Sequence, residues 1–215
     1  MPFIRSIILF NGGSAGDLLK AACLEQIYQR SLHNLDNKGM VNLNHDYFKD
    51  FCRDFFHRRV TLSDLIRDRM HTVENTHYYL DIFSEIAMKV FYIDYPDSAQ
   101  TTIMKAYLGK RFNNNIDLFF KEHFNTIPDQ FTSKIDCNNI ISVCDILWIN
   151  NLRSWRDKPN LEAIQFKDIL NFDLFSAAIE KICQFSLNNK DKLHTTHTNW
   201  LESNTMLKNY FKDCQ

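Results

Sequence analysis

Ile7-Ile8-Leu9-Phe10-Asn11-Gly12-Gly13-Ser14-Ala15-Gly16-Asp17-Leu18-Leu19 is the stretch that decides the fold. Its first part closes a mostly apolar run, residues 3–10 (FIRSIILF), of the kind that forms a strand covered on both faces of a sheet. Its last part opens residues 17–31, where Leu18, Ala21, Ala22 and Tyr28 follow helical spacing. Between strand and helix fall Gly12, Gly13 and Gly16, three of only 5 glycines in 215 residues. Glycine costs backbone entropy, so a chain this sparing of it places it where the backbone needs it. A strand, a glycine turn and a helix start gather free backbone N–H groups at the positive end of a helix dipole. That arrangement suits phosphate or sulfate without any cationic side chain. The expected anion cradle is therefore Asn11, Gly12, Gly13, Ser14, Ala15, Gly16 and Asp17. The alternative is a tight strand-to-helix turn that holds nothing.

Outward from this stretch, residues 89–93 (KVFYI) read as a second strand, ended by the turn former Tyr95-Pro96-Asp97. Ser98 opens a helix to about residue 112. Residues 161–166 read as a third strand. Residues 174–185 read as a helix with Leu174, Ala177, Ala178, Ile182 and Phe185 on one stripe. Helices are expected at 44–56, 62–68, 81–88 and 116–124, an extended segment at 72–79, and 140–148 fits either type. Strands alternating with helices, without a repeat or linker, predict a single α/β domain over residues 1–215. Its central, mostly parallel sheet is flanked by helices, and helix outweighs strand.

Composition narrows the function. Hydrophobic residues make up 45% and charged residues 24%, enough for a sizeable core and against wholesale disorder. Lys and Arg total 25 against 26 Asp and Glu, so nucleic acid is not the expected partner. No apolar run approaches the roughly 20 residues that span a bilayer, and residues 7–10 are too short for a secretory core. The expectation is a cytoplasmic protein without a membrane partner. Six scattered cysteines, several inside apolar patterns, read as buried thiols. His194 and His197 have a spacing that could share a metal, but no Cys or carboxylate accompanies them, and no metal is expected. Neither standard glycine fingerprint fits. Asp17 follows Gly16 where the Walker pattern has Lys, and the three glycines have the wrong spacing for G-x-G-x-x-G.

Three segments, in order, resemble the sulfotransferase family, which transfers sulfuryl groups from 3′-phosphoadenosine 5′-phosphosulfate (PAPS). Ser14-Ala15-Gly16-Asp17-Leu18-Leu19 stands where that family has a 5′-phosphosulfate loop, K-S-G-T-T-W-L or similar. Thr76-His77-Tyr78-Tyr79, then Lys89 to Asp97 and Thr102, is similar to its T-H-x-P and K-x-x-Y-I-x-R-x-P-x-D segments. Residues 164–170 with the helix after them resemble its Y-E-D-L-L segment. The resemblance implies a P-loop NTPase-like fold and PAPS as cofactor. It implies backbone contacts from the loop to the 5′-phosphosulfate, and Thr102 with Lys105 at the second phosphate. It also implies His77 as the base for a hydroxyl on a small-molecule or glycan acceptor.

Three positions depart from the family. Gly13 stands for the loop Lys, Asp17 for a loop Thr, and Asp94 for the Arg that grips the 3′-phosphate. A carboxylate about 4 Å from a phosphate oxygen repels it by several kcal/mol at an effective dielectric near 20. Lys105, on the same helix face as Thr102, is the expected substitute cation, with Lys110 and Arg111 further along. Two alternatives stay open. One is a P-loop kinase or phosphotransferase using ATP, with Asp17 or Asp94 on Mg²⁺. The other is a non-catalytic binding protein that retains the fold.

Overall fold

The computed structural model describes residues 4–29, 34–35, 41–42, 47–61, 73–124, 127 and 129–213. The helix expected at 62–68, and the start of the one expected at 44–56, lie outside the described residues.

Four strands form one all-parallel sheet: β1 (Ile4–Leu9), β4 (Val73–Thr76), β5 (Ala87–Asp94) and β6 (Leu161–Gln165). Two short strands, β2 (Asn34–Leu35) and β3 (Val41–Asn42), pair antiparallel apart from it. The parallel sheet has the order β4-β1-β5-β6. Ile4, Ile7, Ile8 and Leu9 are buried, as are Val90, Phe91 and Ile93, which fits strands covered on both faces. Helix α1 (Gly16–Tyr28) packs on β4 and β1. It is buried along most of its length, so its polar members are paired. Lys20 and Glu74 meet at 2.6 Å, and Thr196 donates to Glu25 at 3.0 Å.

The remaining helices are α2 (Tyr47–Phe56), α3 (Phe83–Ile86), α4 (Gln100–Phe112), α5 (Ile116–His123) and α6 (Asp129–Thr132), then α7 (Ile140–Arg156), α8 (Phe166–Ile169), α9 (Phe172–Cys183), α10 (Lys190–Glu202) and α11 (Thr205–Asp213). The ambiguous stretch at 140–148 is helical. Ile140, Cys144, Leu152 and Trp155 are its buried positions, a spacing that only a helix makes one-sided. Cys23, Cys52, Cys144 and Cys183 are buried free thiols. Among the described residues, no helix is long and apolar enough to cross a membrane.

The strand order positions the site. From β1 the chain leaves toward β4 on one side, while β5 lies on the other, so the loops after β1 and β5 diverge. A crevice at the carboxyl ends of the strands follows from that divergence. The register aligns those ends, with Leu9 level with both Thr76 and Tyr92. Residues 10–16, His77 and Tyr95 therefore share one edge of the sheet.

Candidate functional site

The loop after β1 is bent by two left-handed residues, Gly13 at φ 83° and Ala15 at φ 66°. Its glycines have packing reasons of their own. A Cβ on Gly12 would lie 2.6 Å from Cη2 of Trp148, and one on Gly16 would lie 2.1 Å from Cγ of Phe10. One part of the loop turns inward. Asn11 and Ser14 are buried, and the Ser14 N–H and hydroxyl both donate to the Asn11 carbonyl, at 3.1 and 2.6 Å. The Asn11 amide donates to Tyr95 Oη at 2.8 Å and to the Trp148 carbonyl at 2.9 Å, and Tyr95 Oη donates to Gln100 at 2.7 Å. These bonds tie the loop to α4 and α7.

The other part faces a cavity of about 890 Å³, whose wall includes Gly12, Gly13, Ala15, Gly16, Asp17 and Leu18. The N–H groups of Gly16 and Asp17 belong to the first turn of α1 and have no intrahelical acceptor. Both residues line the cavity, at the positive end of a 13-residue helix. The glycine cluster is thus both a packed turn and a wall of an open space.

His77 lines the same cavity. Its Nδ1 lies 2.7 Å from the Phe10 carbonyl, which can only accept, so the ring proton sits on Nδ1. Nε2 keeps its lone pair, the tautomer a proton acceptor requires. Burial, followed by the nearby Lys49 charge, pushes the imidazole pKa down to about 4, against the Phe10 carbonyl and Asp17, which raise it. His77 is neutral at pH 7.

Asp17 does not stand bare beside the cradle. Its carboxylate accepts from Lys49 Nζ at 2.5 Å and from the Asn75 amide at 2.9 Å. Burial opposes its ionisation, but Lys49 and the Asn75 bond outweigh that and hold the carboxyl below its usual range. Asp94 is likewise compensated. Arg156 reaches it at 2.8 Å and bridges to Asp97 at 2.7 Å, while Gln165 donates to its other oxygen at 3.2 Å.

The helical phase of α4 separates the remaining expected residues from the cavity. Ala106, Tyr107, Lys110 and Arg111 line it, whereas Thr102 and Lys105 do not. Lys105 lies on the side of α4 near Asp145, whose carboxyl it helps to keep charged against burial. Three contributors were missed from sequence. Lys49 comes from α2. His123, with a pKa pushed to about 4 chiefly by burial, lies 3.3 Å from Tyr107 Oη, and Trp148 roofs Gly12. Nothing local in the sequence marks them, because each reaches the cavity through tertiary packing. His194 and His197 have different closest ring partners. His197 Nε2 lies 2.8 Å from the Ile169 carbonyl and stacks on Phe175, while His194 packs edge-on to Phe172.

Among the described lining residues, cations (Lys49, Arg53, Lys110, Arg111, Lys158) slightly outnumber acids (Asp17, Asp50, Asp81, Glu122). Arg111 is held by Glu122 at 2.8 Å, and the Lys158 ammonium sits 4.4 Å from the centre of the Tyr79 ring. Aromatic side chains, among them Tyr78, Tyr79, Tyr107 and Trp148, fill much of the rest. Chemically, the space can hold an anion at the loop and a hydroxyl near His77. Comparisons with protein-family models, with curated proteins and with solved structures found no match to this chain.

Proposed function

We propose that this chain is a sulfotransferase-like group-transfer enzyme with a diverged donor site. Gly12, Gly13, Ala15, Gly16 and Asp17, the part of the loop on the cavity, seat the anionic end of a donor, while Asn11 and Ser14 brace the turn from inside; His77 accepts the proton of an acceptor hydroxyl. One observation carries this reading: Gly16 and Asp17, at the start of α1, and an orientation-locked His77 line one cavity. Transfer to a hydroxyl needs a base at the nucleophile and fixed donors at the transferred group, held within reach of each other. The glycine loop at the switch point of a parallel sheet also favours a P-loop-like reading of the fold.

For PAPS, the residues fit at one end and not at the other. The loop amides suit a phosphosulfate. The 3′-phosphate has no receptor at Asp94, which is paired with Arg156, nor at Thr102 and Lys105, which lie off the cavity. A donor with a second anionic group must therefore use cations of the cavity wall itself. The phosphotransferase alternative is weakened by the state of its acids. Asp17 and Asp94, the candidate Mg²⁺ ligands, are already engaged by Lys49 and Arg156.

Thermal-shift and calorimetric titrations separate the readings. Metal-free stabilisation by inorganic sulfate and by adenosine 3′,5′-bisphosphate is the expected result. Stabilisation by ATP only with Mg²⁺ would establish the phosphotransferase instead. A folded protein that responds to neither would be a binding protein without this chemistry.

A further inference from the structure

The loop has no lysine, and the residue at the family's lysine position is Gly13. A transferred sulfuryl group carries negative charge on its non-bridging oxygens, and a cation beside the backbone amides adds to their stabilisation of the transition state. We infer that Lys49 supplies this missing charge, reaching the reacting group from α2 rather than from within the loop. This assignment rests on the group-transfer reading above.

Four observations place Lys49 at the junction. Its ammonium is 2.5 Å from Oδ1 of Asp17, a residue of the first turn of α1. It lies 4.9 Å from the centre of the Phe10 ring, whose own carbonyl holds His77. Its charge is felt at the His77 ring, where it lowers the imidazole basicity. It lines the cavity, with 22% of its side chain exposed. The helix that carries it is anchored by Phe48 and Cys52, both buried in the core, so the Lys49 backbone is fixed while its four-carbon stem can swing. Asp17 then acts as a station: it holds the ammonium in place until a stronger anion takes it.

The step balances as follows. The acceptor hydroxyl gives its proton to His77 Nε2, and its oxygen forms a bond to the sulfur of an activated sulfate ester. The bond from that sulfur to the donor's bridging oxygen breaks, and the negative charge leaves with the donor remnant. Lys49 remains protonated throughout and pairs with the non-bridging oxygens.

The test uses the full chain and two probes, inorganic sulfate and adenosine 3′,5′-bisphosphate, titrated by calorimetry without metal. Lys49→Met should weaken sulfate binding about tenfold or more, the loss expected for one charged contact. Lys49→Arg should recover most of it. NMR titration of the His77 ring gives a second readout, whose midpoint should be higher in Lys49→Met than in wild type, since the Lys49 charge lowers it. Circular dichroism checks folding, and Lys49→Gln carries the same comparison if the Met variant does not fold. Equal sulfate affinity in wild type and Lys49→Met overturns the assignment while leaving the group-transfer reading intact. Wild type that binds neither probe overturns that reading, and this inference with it.

Discussion

Gly16→Ala sets two effects of opposite sign against each other. Alanine in place of glycine in a helix gains up to about 1 kcal/mol from backbone entropy. The added methyl, however, lands 2.1 Å from Phe10 Cγ and 2.4 and 2.5 Å from its two Cδ atoms. Carbons in contact sit about 3.5–4.0 Å apart, so the ring must retreat by about 1.5 Å. It has little room to do so. Phe10 is 3% exposed, with the His77 ring centre 4.3 Å away and the Lys49 ammonium 4.9 Å from its own centre. Overpacking costs about 1–3 kcal/mol, and with the ring hemmed in this case falls at about 2–3 kcal/mol. The balance is a loss of about 1–2 kcal/mol, or about 2–8 °C in Tm for a chain of this length. Thermal unfolding followed by circular dichroism measures it. Phe10→Leu in the same background should recover part of the loss, so the two changes should be non-additive. A Tm equal to or above that of wild type would mean that Phe10 is not pinned and that the loop is not packed as described.

Folded-state pKa values of about 4 for His77 and His123, against about 6.5 unfolded, mean that the unfolded chain takes up protons first as pH falls. Their contribution to stability is complete above about pH 6.5 and drains away toward pH 4, and a His77→Gln/His123→Gln variant should show a flatter urea-midpoint profile across that window. Asp17→Asn removes a carboxylate that competes for Lys49, so calorimetry should find inorganic sulfate bound several-fold more tightly; unchanged or weaker binding would refute that competition. Ala15→Gly relieves a left-handed alanine that costs about 1–2 kcal/mol, and a higher Tm is expected in a thermal scan. Tyr95→Phe removes one of the two acceptors of the Asn11 amide and leaves Gln100 Oε1 without its 2.7 Å donor, a loss of about 2 kcal/mol readable as a lower urea midpoint.

The parts of the fold legible in the sequence are those whose core face is aliphatic. β1, β5, β6 and α9 announce themselves through Ile, Val, Leu and Phe at the right period, and the glycines mark the first turn. Helix α10 was not legible. Its buried positions, Leu193, Thr196, His197 and Trp200, keep helical spacing but include Thr and His, which read as polar surface. β2 and β3, two residues each, are too short for any period to register. At the site, the turn after β1 and His77 after β4 come to one edge because parallel register aligns the ends of adjacent strands. Lys49 was not legible, since its meeting with Asp17 across 32 residues is fixed by the docking of α2. Thr102 and Lys105 show the limit of motif spacing on a helix. A helical phase difference of about 140°, more than a third of a turn, gives the cavity to Tyr107 and Lys110 instead.

Trp148 carries a design consequence. Its indole presses on Gly12, and its carbonyl clasps Asn11, so an α7 side chain measures the width of the space above the loop. Trimming that indole to alanine hollows out a niche beside the cradle while leaving the backbone clasp in place. A ligand carrying a bulky substituent would then fit the trimmed protein and be shut out of its parent, giving a privately addressable variant within a mixture of competitors.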